Sequence, residues 1–569
     1  MKMSEISEQK NKKKENILWA VLCSAVYIAV LWKLIPFVYG IIDDRSMMEI
    51  VSGQYLGYPD AHTIFLGYWY SLFLSRLYML FPGTDWYALC YLLLQGICVS
   101  LVLCRLLGRL HDKKEKILCT VLVLLLFTVF CLQAMTQLTF TTTATVLGVT
   151  VIFWYITSEK VGFCDWLLVF LLCFLTEEVR PSVFFMILPV CGLLWLFRLQ
   201  KPSGRDKWNL CIPAAAAGVL LLALAGNRAG YGDDFWTAYM RYNQSRSEVY
   251  DFSDYTFPPY EGAEDFYSSI GIEKKSRART LMNYNYTADE RIYPEFFGEY
   301  ISAYQKAFPA GETHAAKFRA SVKEYLKGAA GGRFHMQHIL SLLLYGLLTV
   351  WYQRRKEWDC CWKVISAAGI QILLWIYLLY EGRIPERVVY SMNLMLTMTA
   401  VFLWTEALKE ARFPKKLYTA GAFVLCLLLC IPAFSRGMEI RRQNLEMSRR
   451  NEDIEALKEY CMEHPENFYF NDVTSMAFTT WNVHLPEKKT YVMNYMSLGD
   501  WMSYSPVWRE KLNQKEIVSV KDALYGKNNV YLICSFDKGL EYLVSLYDGV
   551  EAAETDKIPG FKIYRLQFL

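Results

Sequence analysis

Apolar stretches about as long as a membrane-spanning helix recur along this 569-residue chain and limit what it can fold into. The hydrocarbon core of a bilayer is crossed by about 20 mostly apolar residues in helical form. Because 54% of the residues are hydrophobic, a soluble fold of this size would expose far more apolar surface than is usual. The sequence therefore predicts a mainly α-helical, polytopic membrane protein with about eleven transmembrane helices. The predicted spans are 17–40, 86–104, 117–133, 138–157, 161–176, 182–197, 209–226, 337–353, 364–380, 388–405 and 417–434.

A twelfth apolar stretch, 63–81, decides the sidedness of every later loop. Lys and Arg are retained on the cytoplasmic side of short loops. If 63–81 does not cross the membrane, the lysine-rich N-terminus and the basic loops at 105–116, 198–207, 354–363 and 409–416 all fall on one face. We therefore predict a cytoplasmic N-terminus in the plasma membrane, and a juxtamembrane or re-entrant helix at 63–81.

The remaining hydrophilic segments are then predicted to be extracytoplasmic. The net charge is only +4 and the basic residues occur in short clusters, so nucleic acid is excluded as a partner. We predict a membrane domain over 1–435 and an extracytoplasmic domain over 436–569. The outer segments are the first loop 41–85, the turn 177–181, the large loop 227–338, the turn 381–387 and everything after 435.

Residues 436–569 have the pattern of a small α/β domain. A helix-like run at 452–464 precedes strand-like runs at 467–471, 529–534 and 562–568. Cys461 and Cys534 are the two cysteines of this region, so they are its one candidate disulfide.

Two adjacent carboxylates, Asp43 and Asp44, directly follow the first predicted span. A carboxylate at this depth is costly unless it is paired or faces water. One interpretation is helix capping, with a helix that starts at Asp44 and a capping box of Ser46 and Glu49. Capping explains only one of the two acids, so the sequence also predicts a catalytic base or metal ligand at the membrane surface.

His62 lies on the same predicted outer segment, in the sequence Pro59-Asp60-Ala61-His62. A single histidine is more often structural than catalytic. This one follows the paired acids on the side where a lipid phosphate would arrive. We therefore consider a phosphate-binding or metal-binding role beside the structural one.

Glu177, Glu178 and Arg180 lie between two predicted spans, just before Pro181. Adjacent carboxylates repel each other unless a divalent cation or a substrate hydroxyl or amine shares the site. We predict Glu177 and Glu178 as ligands of Mg²⁺ or Mn²⁺, with Arg180 beside them as a phosphate ligand. The simpler interpretation is a polar helix end with an arginine counter-ion.

The late outer turn 381–387 contains Arg383 and Arg387 beside Glu381 and Glu386. Arginine is scarce in the short outer turns, so this pair indicates an anion site such as a phosphate. Surface salt bridging is the alternative.

Three further polar motifs lie on the large loop. Asp233 and Asp234 can simply cap the helix that follows them. Asn243 and Asn285 match the glycosylation pattern, at a frequency expected by chance.

In its arrangement the chain resembles the GT-C class of membrane glycosyltransferases, such as protein O-mannosyltransferases and lipid A aminoarabinose transferases. Asp43-Asp44 stands where this class has its first acidic motif, and Pro59-Asp60-Ala61-His62 stands where it has a Pro/His-containing stretch. Glu177 and Glu178 match a second acidic site, and 227–338 matches a large outer loop. The resemblance covers residues 1 to about 435 and is topological.

The resemblance implies an inverting glycosyltransferase whose donor is a sugar on a polyisoprenyl phosphate. The acceptor would be an envelope glycan, lipid or protein. Asp43 or Asp44 would be the base, while His62, Arg180, Arg383 and Arg387 would bind the phosphate. Membrane lipids are the further expected partners.

A transporter or flippase of a lipid-linked saccharide is the main alternative function. Transporters place polar groups near the bilayer midplane. Here the charged residues collect at the predicted outer helix ends, with Lys33 as the main exception. This distribution favours chemistry at the membrane surface.

Overall fold

The computed structural model describes residues 2–200, 206–252, 254–309, 313–331, 334–411, 414–477, 479–484, 492–535 and 537–569. The chain is mainly helical. In order, its first part contains α1 (Lys2–Leu34), β1 (Val38–Tyr39), α2 (Ile42–Val51), α3 (Tyr68–Leu80), α4 (Trp86–Leu107), α5 (Lys113–Thr136), β2 (Gln137–Leu138), α6 (Phe140–Thr157), α7 (Phe163–Val179), α8 (Pro181–Leu199), α9 (Lys207–Leu210) and α10 (Ile212–Tyr231).

The middle of the chain is also helical. The predicted large loop begins with α11 (Asp234–Asp251), α12 (Glu264–Ser269), α13 (Lys275–Met282), a 3-10 turn (Tyr286–Ala288), α14 (Phe296–Ala307) and α15 (His314–Ala330). Four long helices follow, namely α16 (His335–Arg354), α17 (Trp358–Glu381), α18 (Glu386–Glu410) and α19 (Lys415–Glu463).

The C-terminal part forms a five-stranded mixed sheet. Its elements are β3 (Phe468–Asn471), α20 (Val473–Met476), β4 (Tyr495–Ser497), α21 (Pro506–Gln514), α22 (Val520–Gly526), β5 (Val530–Cys534), α23 (Asp537–Val544), β6 (Val550–Ile558) and β7 (Phe561–Phe568). The strand order is β4-β3-β5-β7-β6, with β4, β3 and β5 parallel and the last two strands antiparallel. β3, β5 and β7 lie at the three predicted strand-like runs. Cys461 and Cys534 are both buried and free, so they do not form the candidate disulfide.

Nine helices of the described residues are long and apolar enough to cross a membrane: α1 from Asn11, α4, α5, α6, α8, α10, α17, α18 and α19 from Lys416. A tenth span results if α15 and α16, bent by 96°, count as one. Nine of the eleven predicted spans, or ten with this bent pair, therefore lie in helices of this length and composition. The predicted span 161–176 is not counted among them, because its helix α7 has only 17 residues and carries Asp165, Glu177 and Glu178.

The ambiguous stretch 63–81 contains the 13-residue helix α3. A helix of that length is about 20 Å long, well short of a bilayer's hydrocarbon core of about 30 Å. One face of α3 leaves Phe73 and Leu80 exposed, at 51% and 69%. α3 thus has the dimensions of a juxtamembrane helix.

The last apolar span does not stop where its composition changes. α19 runs through 49 residues with Pro432 inside it, and is roughly 70 Å long. The predicted domain boundary at 435 therefore cuts a continuous helix, and the predicted helix 452–464 is the end of α19. This helix leads directly into the sheet.

The sheet domain packs on one end of the helical bundle, here called the domain end. At this end β1 pairs with β2 in parallel, through Val38 and Gln137. The Tyr39 N–H donates to the Trp481 carbonyl at 2.9 Å, and the Met493 N–H donates to the Gln54 carbonyl at 2.8 Å. One continuous hydrophobic core therefore joins the bundle to the sheet.

Candidate functional site

Helix α2 carries the two predicted catalytic acids at the domain end. It begins at Ile42 after the extended residue Ile41, and no side chain caps it. The capping-box interpretation of Ser46 and Glu49 is therefore wrong. Asp43 and Asp44 occupy the first turn, where the helix dipole stabilises negative charge.

Asp44 holds α2 in place. Its Oδ1 accepts hydrogen bonds from the Tyr87 hydroxyl at 2.8 Å and from the Phe140 N–H at 2.9 Å, and its side chain is fully buried. Burial raises the pKa of Asp44 well above its ordinary value, although these two hydrogen bonds oppose the rise. Because its partners lie on α4 and α6, this side chain fixes where α2 sits.

Asp43 is placed differently from its neighbour. Its side chain keeps 19% of its surface exposed, and its Oδ2 lies 3.7 Å from Nη2 of Arg387. No donor in the described ranges hydrogen-bonds to it. Burial raises the pKa of Asp43, and the nearby Arg387 and Arg180 oppose this rise. An accessible carboxylate with a raised pKa suits a general base, so the geometry favours Asp43 over Asp44 for that role.

Arg180 lies in the break between α7 and α8. Pro181, the first residue of α8, disfavours helical geometry at the residue before it, and Arg180 is extended with φ −159° and ψ 102°. Its guanidinium lies 4.7 Å from the ring centre of Phe140 and 5.6 Å from that of Phe65. No hydrogen-bond acceptor within the described part of the chain contacts it.

Arg383 and Arg387 are positioned by the turn between α17 and α18. Gly382 ends α17 with φ 72°, a conformation that glycine adopts without strain, and Pro385 precedes the first residue of α18. Nη2 of Arg383 lies 3.4 Å from Oδ2 of Asp251. The turn thus brings Arg387 beside Asp43 and Arg383 beside Asp251, both at the domain end.

Arg246 and Asp251 complete this cluster, and sequence reasoning missed both. Arg246 is only 4% exposed, and its Nη2 lies 3.9 Å from Oδ2 of Asp251, which also faces Arg383. Both residues lie on α11 in the large loop. Asp251 raises the pKa of Asp43, and Arg246 lowers it. Their only sequence signal is an arginine and an acid on a tyrosine-rich helix, which is too common to indicate a site.

The cluster has an excess of positive charge. The arginines 180, 246, 383 and 387 face the acids Asp43 and Asp251. Asp44 and Asp500 also lie near them, but burial raises the pKa of both and so favours their neutral forms. Burial and the repulsion from Arg387 and Arg383 lower the pKa of Arg180 to about 10. A group of cations that repel one another is stabilised by an anion, and planar guanidinium groups match phosphate oxygens. We call the four arginines with Asp43 and Asp251 the acid–arginine cluster.

Glu178 stabilises α3. Its Oε2 accepts the Tyr70 N–H at 2.9 Å, and its backbone carbonyl accepts the Gly67 N–H at 2.6 Å. These contacts satisfy amides at the start of α3. Glu177 is also buried, at 4% exposure. The described residues place no third His, Cys, Asp or Glu with this pair, since their one group of three candidate metal ligands is Glu357, Cys360 and Glu410.

His62 is held by the protein through both ring nitrogens. Nδ1 lies 2.8 Å from Oδ1 of Asp60, and Nε2 lies 3.0 Å from the Gly230 carbonyl. The ring also stacks on Trp236 at 4.8 Å. Both polar partners are acceptors, so the protonated imidazole satisfies both. This geometry favours a structural brace between the first outer segment and α10 over the predicted phosphate ligand.

The brace at His62 should depend on pH. Burial lowers the pKa of His62, but Asp60 and the Gly230 carbonyl outweigh it, so the net pKa is raised above 6.5. Its contribution to stability is then complete below about pH 6.5 and is lost as the pH rises through the raised pKa. We expect His62→Gln to lower the midpoint of thermal unfolding more at about pH 5.5 than at about pH 8.5.

His111 offers a control for this measurement because it is exposed. His111→Gln should leave the unfolding midpoint within experimental error at both pH values. An equal loss for His62→Gln across the range would show that the charge of the imidazole contributes nothing.

No protein-family model matches this chain, and no curated protein matches it. Its function must therefore be inferred from its own residues. The acid–arginine cluster is the strongest basis for that inference, because it brings together side chains from four separate parts of the chain.

The weaker sequence candidates have structural roles. Asp233 caps α11 by accepting the Trp236 N–H at 2.8 Å, as the sequence predicted. Asn285 is fully buried and donates to Asp472 and to Tyr542 of the C-terminal domain. The folded chain therefore does not offer Asn285 for glycosylation.

Proposed function

We propose that this protein is a glycosyltransferase that takes a sugar from a polyisoprenyl-phosphate donor and transfers it to a hydroxyl acceptor with inversion. The observation that carries the proposal is the convergence of Asp43 with Arg180, Arg246, Arg383 and Arg387 at the domain end. A base beside a surplus of guanidinium groups is suited to displacing a phosphate. The predicted topology places this end on the extracytoplasmic face.

Asp43 acts as the general base in this reaction. It accepts the proton of the acceptor hydroxyl as that oxygen attacks the anomeric carbon. The bond between that carbon and the phosphate oxygen breaks at the same time, and the lipid phosphate leaves with the electron pair. A single displacement of this kind inverts the anomeric configuration.

The arginines stabilise the phosphate that leaves. Arg180 has guanidinium N–H groups with no acceptor in the described structure, and Arg387 lies beside the base at 3.7 Å. Hydrogen-bond donors that are fixed in position and point at a developing negative charge contribute a large part of the rate enhancement in many enzymes. Since the arginines supply this charge, the proposal assigns no step to a divalent cation at Glu177 and Glu178.

A lipid-linked donor fits the surroundings of the cluster. Glu178, two residues before Arg180, holds the start of α3. α3 leaves an apolar face exposed, including Phe73 and Leu80. A juxtamembrane helix with such a face would pack against acyl or isoprenyl chains. The phosphate of a membrane-embedded donor would therefore meet the arginines at the level of this helix.

Cleavage of a labelled donor tests the proposal. Purified protein in nanodiscs is given a synthetic polyisoprenyl phosphate that carries a radiolabelled hexose, with octyl glycosides as acceptors. We expect release of the lipid phosphate, and Arg180→Gln should slow the release by about 100-fold, as for loss of one donor to a developing anion. Movement of intact donor across liposomes without cleavage would instead establish a transporter.

Arg241 provides the matched control. It is an exposed arginine on α11, outside the cluster. Arg241→Gln should cleave the donor at the wild-type rate. Equal rates for Arg180→Gln and wild type would show that Arg180 does not bind the phosphate that leaves.

A further inference from the structure

A polar cavity of about 370 Å³ adjoins the acid–arginine cluster. The two share Arg387, which lines the cavity and faces Asp43. Arg180 and Arg383 do not line it. Gly40 and Ile41, just before Asp43, form another part of its wall. The cavity is therefore a separate space next to the proposed base.

One wall of the cavity belongs to α19, beyond the apolar part of that helix. Gln443, Glu446, Met447 and Arg450 line the cavity, and their spacing of three, four and seven residues puts them on one helical face. Asn444 fixes this wall, because its Nδ2 donates to the Pro36 carbonyl at 2.7 Å and its Oδ1 accepts from Gln137 at 2.8 Å.

The charges around the cavity balance, unlike those of the cluster. Glu386 and Glu446 provide two carboxylates, and Arg387 and Arg450 provide two guanidinium groups. A charged ligand would be attracted by one pair and repelled by the other, so it would gain no net electrostatic attraction. A neutral ligand with many hydroxyl groups is repelled by neither and can bond to both.

The uncharged lining matches the same kind of ligand. Gln133, Gln137 and Gln443 line the cavity with amides that hydrogen-bond to one another at 3.1 Å and 3.4 Å, and amides both donate and accept hydrogen bonds. Sugar hydroxyls also do both. A volume of about 370 Å³ lies in the range of small-molecule sites.

We propose that this cavity binds a sugar ring, and that Gln443, Glu446 and Arg450 of α19 select which sugar binds. This inference rests on the proposed function, and deepens it by naming the residues that bind the saccharide and determine which one is accepted. The donor carries one sugar ring, and a saccharide acceptor would carry another. Both meet near Asp43, so the experiment must separate them.

The test compares two arginines of one helix. Both arginines are exposed, but Arg450 lines the cavity and its neighbour Arg449 does not. The variants Arg450→Ala and Arg449→Ala are assayed with the radiolabelled polyisoprenyl-phosphate hexose. Donor hydrolysis without an acceptor gives the KM for the donor, and transfer to octyl glycosides gives the KM for the acceptor.

Loss of a charge-assisted hydrogen bond should raise one KM by about tenfold in Arg450→Ala, with Arg449→Ala like wild type. A higher donor KM assigns the cavity to the transferred sugar, and a higher acceptor KM assigns it to the acceptor. Gln443→Ala should raise the same KM.

The two possible failures can be told apart. If neither KM changes in Arg450→Ala or Gln443→Ala while the wild-type protein cleaves the donor, the cavity does not bind a sugar and the inference is overturned. The inference is also overturned if the donor KM is unchanged in these variants and the wild-type protein transfers sugar to a serine peptide but to no glycoside. If wild-type protein cleaves no donor, the proposed function fails, and the inference with it.

Discussion

The Asp43→Asn variant is expected to fold normally and to transfer sugar about 10³-fold more slowly than wild type. An amide has the size of the carboxylate but cannot accept the acceptor's proton, and general-base catalysis contributes about 10²–10⁴-fold. Folding should be kept because Asp43 is partly exposed and accepts no hydrogen bond from the described residues. The rate is measured as single-turnover transfer of label from the donor.

Asp44→Asn is the matched control for Asp43→Asn, one residue along the same helix. Burial raises the pKa of Asp44 well above its ordinary value and so favours the neutral acid, which an amide resembles. Asn can still accept from Tyr87 and Phe140, so transfer should stay within about tenfold of wild type. If Asp44→Asn is inactive and Asp43→Asn is active, the two roles are exchanged.

The helices could be predicted from the sequence because apolar length is a local property. The residue at which α19 ends could not be predicted in this way. Apolar composition stops near 434, but the residues that follow are good helix formers such as Arg, Glu, Leu and Met, so the helix continues to Glu463. The change in composition indicates where the helix leaves the predicted membrane, and not where it ends.

The candidate site was only partly predictable for a similar reason. Asp43 and Arg387 are visible in the sequence because they directly follow or precede apolar spans. Asp251 is more than 130 residues before Arg383 and approaches it only through tertiary packing, and Arg246 lies beside Asp251. No local spacing encodes such a contact.

The roles of His62 and Glu178 were hidden because each contacts a main-chain group of a distant segment. His62 contacts the Gly230 carbonyl, and Glu178 accepts the N–H of Tyr70. Every residue type carries these backbone groups, so sequence alone does not reveal the contact. Sequence placed both side chains at a functional end of the bundle, whereas the structure favours bracing roles there.

Helix α2 is also held from its far end, by buried charges. Oε1 of Glu49 lies 3.1 Å from Nζ of Lys458 and 3.7 Å from Nε of Arg45. Glu49 and Lys458 keep only 4% and 2% of their side-chain surfaces exposed. Since Lys458 belongs to α19 and Glu49 to α2, the pair links the helix that carries Asp43 to the helix that enters the sheet domain.

Glu49→Gln is expected to destabilise the protein by about 3–5 kcal/mol, because it removes the carboxylate that both buried cations contact. The loss is measured as a lower midpoint of thermal unfolding in detergent, followed by tryptophan fluorescence. Transfer should fall as well, since α2 would no longer be held at both ends.

Two further variants decide whether the buried charge is the cause. Glu452→Gln changes an exposed acid on α19, and its stability should stay within about 0.5 kcal/mol of wild type. The double variant Glu49→Met, Lys458→Met replaces both partners with apolar groups and should regain stability relative to Glu49→Gln, because a buried pair exchanged as a unit leaves no uncompensated charge. If Glu49→Gln unfolds at the wild-type temperature, the link between α2 and α19 contributes nothing to stability.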